Sequence, residues 1–288
     1  MGKVITVMNM KGGVGKSTVT MHVAGMLGRY QINKKYRKIL MIDYDPQFNL
    51  SQAFLPASSY FAIENARKTT LSILVDDQDD LNPYELQVPG NESAPEPADL
   101  THRLYANKGG GELHIIPSTL NLMYIALGQT EKRTKPMEAR FSEFIAKCRD
   151  EYDAIFIDCH PAGSIFTKTS LQNSDHVLVP VVPHKFAARG IGLMQQFVAA
   201  KKAGSGGPKT RILFNNTPRF GVSAIEANIR ADPKFGPLCL ATSLKSYKAF
   251  SEPEGGKGFV WVSGKPYSWE AFNNLTAVAT EIATTLGV

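Results

Sequence analysis

The stretch that decides the fold runs over residues 9–18 and reads Asn-Met-Lys-Gly-Gly-Val-Gly-Lys-Ser-Thr. It follows an apolar run at residues 4–8, which has the length and composition of a buried strand. It precedes residues 17–27, whose apolar side chains recur at helical spacing. A strand, a glycine-rich loop and a helix start in this order predict a loop that binds phosphate groups through its backbone N–H groups and the helix dipole.

The ligand that such a loop favours is a polyphosphate. We expect Lys16 to reach the β- and γ-phosphates, Ser17 to offer its hydroxyl to Mg²⁺, and Thr18 to lie near the α-phosphate. The residues that we expect to surround the phosphates are Gly12, Gly13, Val14, Gly15, Lys16, Ser17 and Thr18. The loop therefore predicts the binding of a polyphosphate together with Mg²⁺.

Two further apolar runs end in carboxylates. Residues 39–42 lead into Asp43 and Asp45, and residues 152–157 lead into Asp158. Continuous apolar runs suit strands of a parallel sheet, whose carboxyl ends form the edge at which open α/β sheets bind ligands. We expect Asp158 to hold a Mg²⁺-bound water. An alternative for Asp43 and Asp45 is that they only cap the next helix.

The composition is that of an ordinary globular protein. The chain has 288 residues, 43% of them hydrophobic, which is ample for a large buried core. No apolar run approaches the ~18 residues of a membrane span. Three cysteines without a C-x-x-C pair argue for a reducing compartment and against disulfides. We therefore expect a cytoplasmic protein.

Strand-like and helix-like segments alternate along the chain, which predicts an α/β fold. We expect a single doubly wound, mostly parallel sheet with helices on both faces, forming one domain over residues 1–288. We also expect an acidic surface insertion at about residues 76–112, because residues 76–99 carry eight acidic side chains and no Lys or Arg. Further along, the pattern predicts a helix over residues 186–203, a short strand at 238–241 and a final helix over 268–286.

Residues 11–18 closely resemble the deviant Walker A loop of ParA/MinD-type ATPases, most of all that of small ParA (Soj-like) partition ATPases without an N-terminal DNA-binding domain. The ordinary loop pattern needs glycine where this chain has Met10, and an additional lysine, Lys11, begins the deviant loop. In that family the extra lysine crosses a dimer interface to the partner's nucleotide. The resemblance therefore implies a P-loop NTPase fold, with Lys11 and Lys16 as catalytic residues of a dimer that sandwiches two ATP molecules.

The segment at residues 43–47, Asp-Tyr-Asp-Pro-Gln, is similar to the family's switch I. By that resemblance Asp45 positions the hydrolytic water, and Asp43 lies nearer the Mg²⁺. Holding a water in line with the γ-phosphate is a role that a carboxylate can fill. Residues 152–158 are similar to the family's Walker B strand, which ends in the carboxylate of Asp158. His160 stands where the family usually has a proline after this carboxylate. We expect it to be a hydrogen-bond partner, with a role in tuning hydrolysis as the alternative.

Asn215 follows a predicted strand, at the position where related ATPases read the adenine edge. The alternative is that it only makes the turn before Pro218. The basic charge lies nearby, since residues 201–248 hold nine Lys and Arg against only two acidic residues. Such a stretch can bind a polyanion. The residues that we expect to contact DNA phosphates are Arg219, Arg230, Lys245 and Lys248, followed by Lys202 and Arg189.

The resemblance implies a slow ATPase that forms an ATP-dependent homodimer and binds double-stranded DNA without sequence preference. Such a protein positions a plasmid, a chromosome or a large cargo, and a ParB-like or cargo-adaptor protein stimulates its hydrolysis. We expect nucleoid association in the cytoplasm and no membrane binding, since the sequence ends without the basic amphipathic tail of MinD proteins. The alternatives are an iron–sulfur cluster carrier or reductase, a MinD-like membrane-positioning ATPase, and a small-molecule ligase of the dethiobiotin synthetase type.

Overall fold

The computed structural model describes residues 1–76, 78, 81, 92–126, 131–160, 164–200, 207–250 and 259–288. The strands are β1 (Lys3–Val7), β2 (Lys38–Tyr44), β3 (His102–Ala106), β4 (Glu112–Ile116), β5 (Ala154–Cys159), β6 (His176–Val181) and β7 (Lys209–Phe214). The α-helices are α1 (Lys16–Arg29), α2 (Asn49–Phe54), α3 (Ala57–Asn65), α4 (Leu71–Leu74), α5 (Pro97–Leu100), α6 (Leu122–Ala126), α7 (Glu131–Glu151), α8 (Ile165–Asn173), α9 (Ala187–Ala200), α10 (Ala224–Ala231) and α11 (Ser268–Leu286).

Across the described parts of the chain these strands form one seven-stranded sheet in the order β3-β4-β2-β5-β1-β6-β7. Every neighbouring pair is parallel except β3 and β4, which are antiparallel. The predicted mostly parallel α/β fold is therefore confirmed. β5 and β6 are buried along their whole length, and they are apolar almost throughout because helices cover both faces of the sheet.

Alternate strand residues face opposite layers of helices. On β1, Val4 packs in one buried cluster with Phe141 and Phe144 of α7, whereas Ile5 packs in another with side chains of α1 and α11. The side-chain period of two along a strand produces this division. The sheet is thus the middle layer of three.

The parallel pairing brings the sequence motifs to one edge of the sheet. β1 leads into the glycine-rich loop, and Val7 at its end is the register partner of Asp158 on β5. On the other side of β5, Asp158 is the register partner of Asp43 on β2. The phosphate-binding loop and both carboxylates therefore meet at the carboxyl ends of adjacent strands, where open α/β sheets bind ligands.

The structure differs from the sequence-based expectation in two strands. Residues 102–106 form the antiparallel edge strand β3, so the end of the expected insertion at 76–112 belongs to the sheet. Residues 77, 79–80 and 82–91 of that insertion lie outside the described residues. The strand expected at 238–241 is wrong, since Gly236–Leu238 forms a 3₁₀ turn and Cys239 makes only an isolated bridge to Ile212.

Within the residues described above, none of the helices combines the length and the hydropathy needed to cross a membrane.

Candidate functional site

The glycine-rich loop is shaped by two left-handed residues. Gly13 has φ 72° and Gly15 has φ 83°, a region that glycine adopts without steric cost. A Cβ atom on Gly15 would lie 2.3 Å from Nδ2 of Asn215, so a side chain there would also collide. α1 begins at the next residue, Lys16. The tight turn thus aims the helix N-terminus, with its free N–H groups, at the space above the loop.

Asn9 anchors the start of the loop. Its Nδ2 donates to the backbone oxygen of Pro180 on β6 over 2.8 Å, and its Oδ1 accepts from the backbone N–H of Lys11 over 3.0 Å. Sequence reasoning missed this role, because the partner on β6 is 171 residues away. The only local signal was an asparagine directly before a glycine-rich turn.

A cavity of about 320 Å³ lies between this loop and helix α2. Its lining residues are Gly13, Gly15, Lys16, Ser17, Thr18, Met21, Asp45, Asn49, Gln52 and Ala53. The structure therefore brings together four groups that the sequence predicted to act jointly: the loop backbone, Lys16, Ser17 and Asp45. Anions are favoured at such a site by the lysine and by the helix N-terminus.

Asp158 is a buried carboxylate whose oxygens make no hydrogen bond of normal geometry to the described residues, although the Ser17 hydroxyl lies near enough to favour its charged form. It is 1% exposed, and neither carboxylate oxygen accepts a hydrogen bond from any residue that the structure describes. Burial raises its pKa to about 7, while Ser17 and Lys16 oppose that shift. A buried carboxylate with two unused oxygens costs free energy unless a cation compensates it. Asp158 and the Ser17 hydroxyl therefore fit a bound Mg²⁺.

Asp43 is held differently. Its Oδ2 accepts from the backbone N–H of Ser51 at 2.8 Å and from the Ser51 hydroxyl at 2.6 Å. Its side chain is fully buried, and burial together with the nearby charge of Asp158 raises its pKa well above the usual range. The described residues hold no group of three or more His, Cys, Asp and Glu that could bind a metal. A Mg²⁺ ion here would have few protein ligands, as is usual where phosphates and waters complete its shell.

Asp45 lies at the mouth of the cavity and is 8% exposed. Its Oδ1 accepts from the backbone N–H of Gln47 at 3.0 Å, and its backbone oxygen accepts from the Ser118 hydroxyl at 2.7 Å. Nε2 of His160 lies 3.9 Å from the same Oδ1, too far for a hydrogen bond. His160 thus lies beside Asp45 without a hydrogen bond to it in this structure. Its expected role as a hydrogen-bond partner, like the alternative role in tuning hydrolysis, stays a prediction.

Lys11 does not line the phosphate cavity. Its exposed side chain places Nζ 2.8 Å from Nε2 of His184. There it borders a second groove of about 320 Å³, lined mainly by apolar residues that include Phe186 and Leu193. Arg189, one of the expected DNA contacts, lines the same groove.

A third cavity, of about 340 Å³, continues from the other side of the loop. It is lined by Gly13, Val14, Gly15, Thr18, Val182, Asn215, Asn216, Lys245, Ser246, Tyr247, Lys248 and Phe250. Asn215 is 7% exposed and donates from Nδ2 to the backbone oxygen of Val14 over 2.8 Å. It therefore braces the loop as well as lining a cavity of suitable position for a nucleotide base.

The expected DNA contacts fall in different places. Arg219, Lys245 and Lys248 lie on adjoining loops, because Arg219 contacts Ser246 and Tyr247 between the two lysines. Arg230 is held internally by an ion pair of 2.8 Å with Glu226 and by hydrogen bonds to Leu240 and Ser243. Lys202 lies outside the described residues.

The three cysteines lie on different parts of the fold, Cys148 on α7, Cys159 on β5 directly after Asp158, and Cys239 after β7. Cys148 and Cys159 are buried and Cys239 is half-buried, and all three are free. Burial raises the pKa of Cys159 to about 12 and also raises those of Cys148 and Cys239. Cluster ligation uses thiolates brought close together, so these thiols offer no support for an iron–sulfur carrier.

The sheet order, the glycine-rich loop and the carboxylates at the ends of β2 and β5 define a P-loop ATPase fold of the ParA type. A family model described as an AAA domain matches residues 2–203, and the chain belongs to that family. The resemblance to small ParA (Soj-like) ATPases is confirmed by a similar protein, the sporulation initiation inhibitor protein Soj of Bacillus subtilis. The two are 31% identical over 195 residues, which are 66% of this chain and 62% of that protein. The match thus spans less than two thirds of that relative.

Solved structures share the fold at low sequence identity. A variant of Cyanothece McdA in complex with ATP has a TM-score of 0.70 and 18% identity, covering 100% of this chain and 97% of that one. The pNOB8 ParA bound to nonspecific DNA has a TM-score of 0.63 and 19% identity, covering 100% of this chain and 99% of that one.

Proposed function

We propose that this protein is a ParA-like ATPase that binds Mg·ATP, forms an ATP-sandwich homodimer and binds double-stranded DNA without sequence preference. In this role it positions or segregates a plasmid, a chromosome or a large cargo. Its slow hydrolysis is stimulated by a ParB-like or cargo-adaptor protein. It acts in the cytoplasm on the nucleoid. The proposed binding of Mg·ATP depends most on one observation: the carboxylate of Asp158 is buried beside Lys16 and Ser17, and its oxygens make no hydrogen bond of normal geometry to the residues that the structure describes.

Each polar group of the site has a distinct part in this proposal. Lys16 and the loop N–H groups bind the β- and γ-phosphates, and Ser17 and Asp158 hold the Mg²⁺ or its waters. When bound, Mg²⁺ neutralises phosphate charge during transfer to water. Asp45 orients that water, and Asp43 fixes the position of Ser51 on α2, just after the switch segment.

The base lies in the cavity beside Asn215 in this proposal. The side-chain amide of Asn215 is already donating to Val14, so its carbonyl oxygen is the group suited to accept from an adenine amino group. The same contact couples the base to the loop that binds the phosphates. We therefore keep Asn215 as the adenine-reading residue.

The proposal of a homodimer depends on the position of Lys11. An exposed lysine at the start of a phosphate loop, directed away from the phosphate cavity of its own chain, is placed to serve a second subunit. A cation from the partner offsets the repulsion of two closely facing triphosphates. Arg189 borders the same groove and belongs to this face rather than to the DNA surface.

The DNA surface consists of Arg219, Lys245 and Lys248. These cations attract phosphates and release counterions, so affinity depends on salt and not on base sequence. A dimer presents two such surfaces and so doubles the contacts, which makes binding depend on ATP. We leave Arg230 out, because its guanidinium is occupied by Glu226. The pNOB8 ParA, whose fold is similar, was solved bound to nonspecific DNA, which supports DNA binding as part of the proposed function.

The direct test of the nucleotide site compares Asp158→Asn with Asp150→Asn, an exposed control on α7. Titration calorimetry with ATP, with and without Mg²⁺, and phosphate release would be measured. Asp158→Asn should lose ~10–100-fold in Mg²⁺-dependent affinity or turnover, and Asp150→Asn should match wild type. The apo variant should fold normally, since it removes a buried charge. Equal Mg²⁺ dependence in both variants would contradict the assignment.

A further inference from the structure

Phe220 is displayed on the surface of the loop that follows β7. Its side chain is 90% exposed, and that of Val222, two residues on, is 57% exposed. Single exposed apolar residues are common and need no explanation by themselves. What distinguishes Phe220 is how the loop holds it and what surrounds it.

The loop is fixed at its base. The backbone N–H of Thr217 donates to Leu244 over 3.2 Å, and the N–H of Ser246 donates back to Thr217 over 2.8 Å. Asn216 (φ 54°) and Gly221 (φ 69°) make the two bends that enclose Phe220. A side chain displayed on an anchored loop loses little conformational entropy when it binds a partner.

Arg219 fixes the direction of the loop. Its guanidinium carbon lies 4.6 Å from the ring centre of Tyr267 and 5.2 Å from that of Tyr247. Its Nε also donates to the backbone oxygen of Ser246 over 3.2 Å. Arg219 therefore packs onto the protein, while the next residue, Phe220, is left to solvent.

Cations lie on the chain segments that adjoin the loop of Phe220. The three adjoining segments are residues 216–222, 245–248 and 262–270, which carry Arg219, Lys245, Lys248 and Lys265 against one acidic residue, Glu270. Two more exposed aromatic side chains, Tyr267 (55%) and Trp269 (69%), lie in the third segment. Nζ of Lys245 also lies 3.4 Å from the backbone oxygen of Gly221. These adjoining segments thus carry both positive charges and exposed aromatic rings.

We propose that Phe220 contacts the bases of bound DNA, entering a groove and leaning on a base step while the surrounding cations hold the phosphates. Apolar wedges act in this way in proteins that bind DNA without reading its sequence. Where such a wedge partly unstacks a base step, its contact with the exposed base is tolerant of sequence, since every base has a π-face. The inference rests on the proposed DNA-binding function and adds to it a contact that is not electrostatic.

Duplexes carrying 2-aminopurine test the proposal with Mg·ATP present. The variants are Phe220→Ala, Phe220→Trp and the control Phe61→Ala, which removes another exposed phenylalanine on α3. Phe220→Ala should bind about tenfold more weakly, with the same slope of log affinity against log salt, because that slope counts phosphates. It should also lose the fluorescence change that wild type causes in 2-aminopurine. Phe220→Trp should restore both, and Phe61→Ala should match wild type.

Other outcomes separate this inference from the function on which it rests. If wild type binds DNA and Phe220→Ala binds equally well with the same fluorescence change, only the base contact is refuted. If Phe220→Ala loses ATP-dependent dimerisation in analytical ultracentrifugation, the side chain serves a second copy of the chain, and the inference is again refuted. If wild type binds no DNA with ATP, the proposed function and this inference fail together.

Discussion

The hydroxyl of Ser118, just beyond the end of β4, donates a 2.7 Å hydrogen bond to the backbone oxygen of Asp45, which follows β2. The backbone N–H of the same serine donates to the Ser51 hydroxyl, which in turn donates to Asp43. Both serines are fully buried. One short chain of hydrogen bonds therefore links Asp43 and Asp45 to the neighbouring strand, and it fixes the switch segment relative to the phosphate cavity.

Ser118→Ala should reduce the rate of ATP hydrolysis more than it reduces ATP affinity. The change removes the bond to Asp45, whereas the backbone bond from residue 118 to Ser51 remains. We expect turnover to fall about tenfold while the Kd for Mg·ATP changes little, as for a group that acts mainly in the transition state. Ser174→Ala is the control, because Ser174 bonds Thr6 away from the site. Equal loss of affinity and rate would indicate a purely structural role.

Lys11→Ala should remain folded and bind Mg·ATP but stay monomeric in analytical ultracentrifugation. The exposed side chain makes no contact with the phosphate cavity of its own chain, so its loss leaves that cavity intact. Lys16→Ala should behave differently and lose nucleotide affinity outright. Lys3→Ala, which removes an exposed lysine at the opposite edge of the sheet, is the control. Normal dimerisation of Lys11→Ala would refute the ATP-sandwich proposal.

Asp45→Ala should bind Mg·ATP and dimerise but hydrolyse ATP poorly. The change removes the group that orients water and leaves the loop, Lys16 and Asp158 in place. The ATP-bound dimer should therefore persist for longer than that of wild type. Rapid turnover in Asp45→Ala would mean that another group orients the hydrolytic water. The double variant Asp45→Ala, His160→Ala would then show whether His160 is that group.

His22 should make the fold sensitive to acid. It is fully buried on α1 against Phe250 and Phe259, and burial lowers its pKa from 6.5 to about 3. Below pH 6.5, His22 therefore binds a proton in the unfolded chain but not in the folded chain. The free energy of unfolding thus falls as the pH falls from 6.5 towards 3. His22→Leu should remove this loss. Between pH 7 and pH 4, the free energy of unfolding of His22→Leu should decrease by roughly 3 kcal/mol less than that of wild type. Parallel pH profiles in denaturant titrations would contradict this.

The parts of the fold that the sequence predicted depend on local patterns. Apolar runs of four to six residues identified β1, β2 and β5, because strands buried on both faces are apolar almost throughout. The edge strand β3 was missed because Arg103 is exposed, Tyr105 is only partly buried, and its residues do not form such a run. The helix α3 was missed for a similar reason, since of its side chains only Tyr60 is buried.

The site was predictable as far as its residues lie within single motifs. The loop and Asp45 directly follow recognisable strands, and Asp43 and Asp158 lie near the carboxyl ends of theirs. Asn9 and Ser118 could not be found in this way, because their partners are on other strands and depend on the order of strands in the sheet. Arg230 is a different case. Glu226 stands four residues before it on one helix, a spacing that favours an ion pair. The sequence analysis overlooked this signal and expected Arg230 to contact DNA.

Binding of arbitrary duplex DNA in different nucleotide states tests the central proposal most directly. Wild type, Lys248→Glu and Arg189→Glu would be titrated against two unrelated duplexes, with ATP, with ADP and without nucleotide, at two salt concentrations. We predict binding with ATP alone, equal for both sequences, with a log–log salt slope of about −0.9 per neutralised phosphate. Lys248→Glu should make that slope shallower and lower the affinity for both duplexes equally, whereas Arg189→Glu should alter the slope less. Absence of ATP-dependent binding, or binding confined to one sequence, would contradict the account.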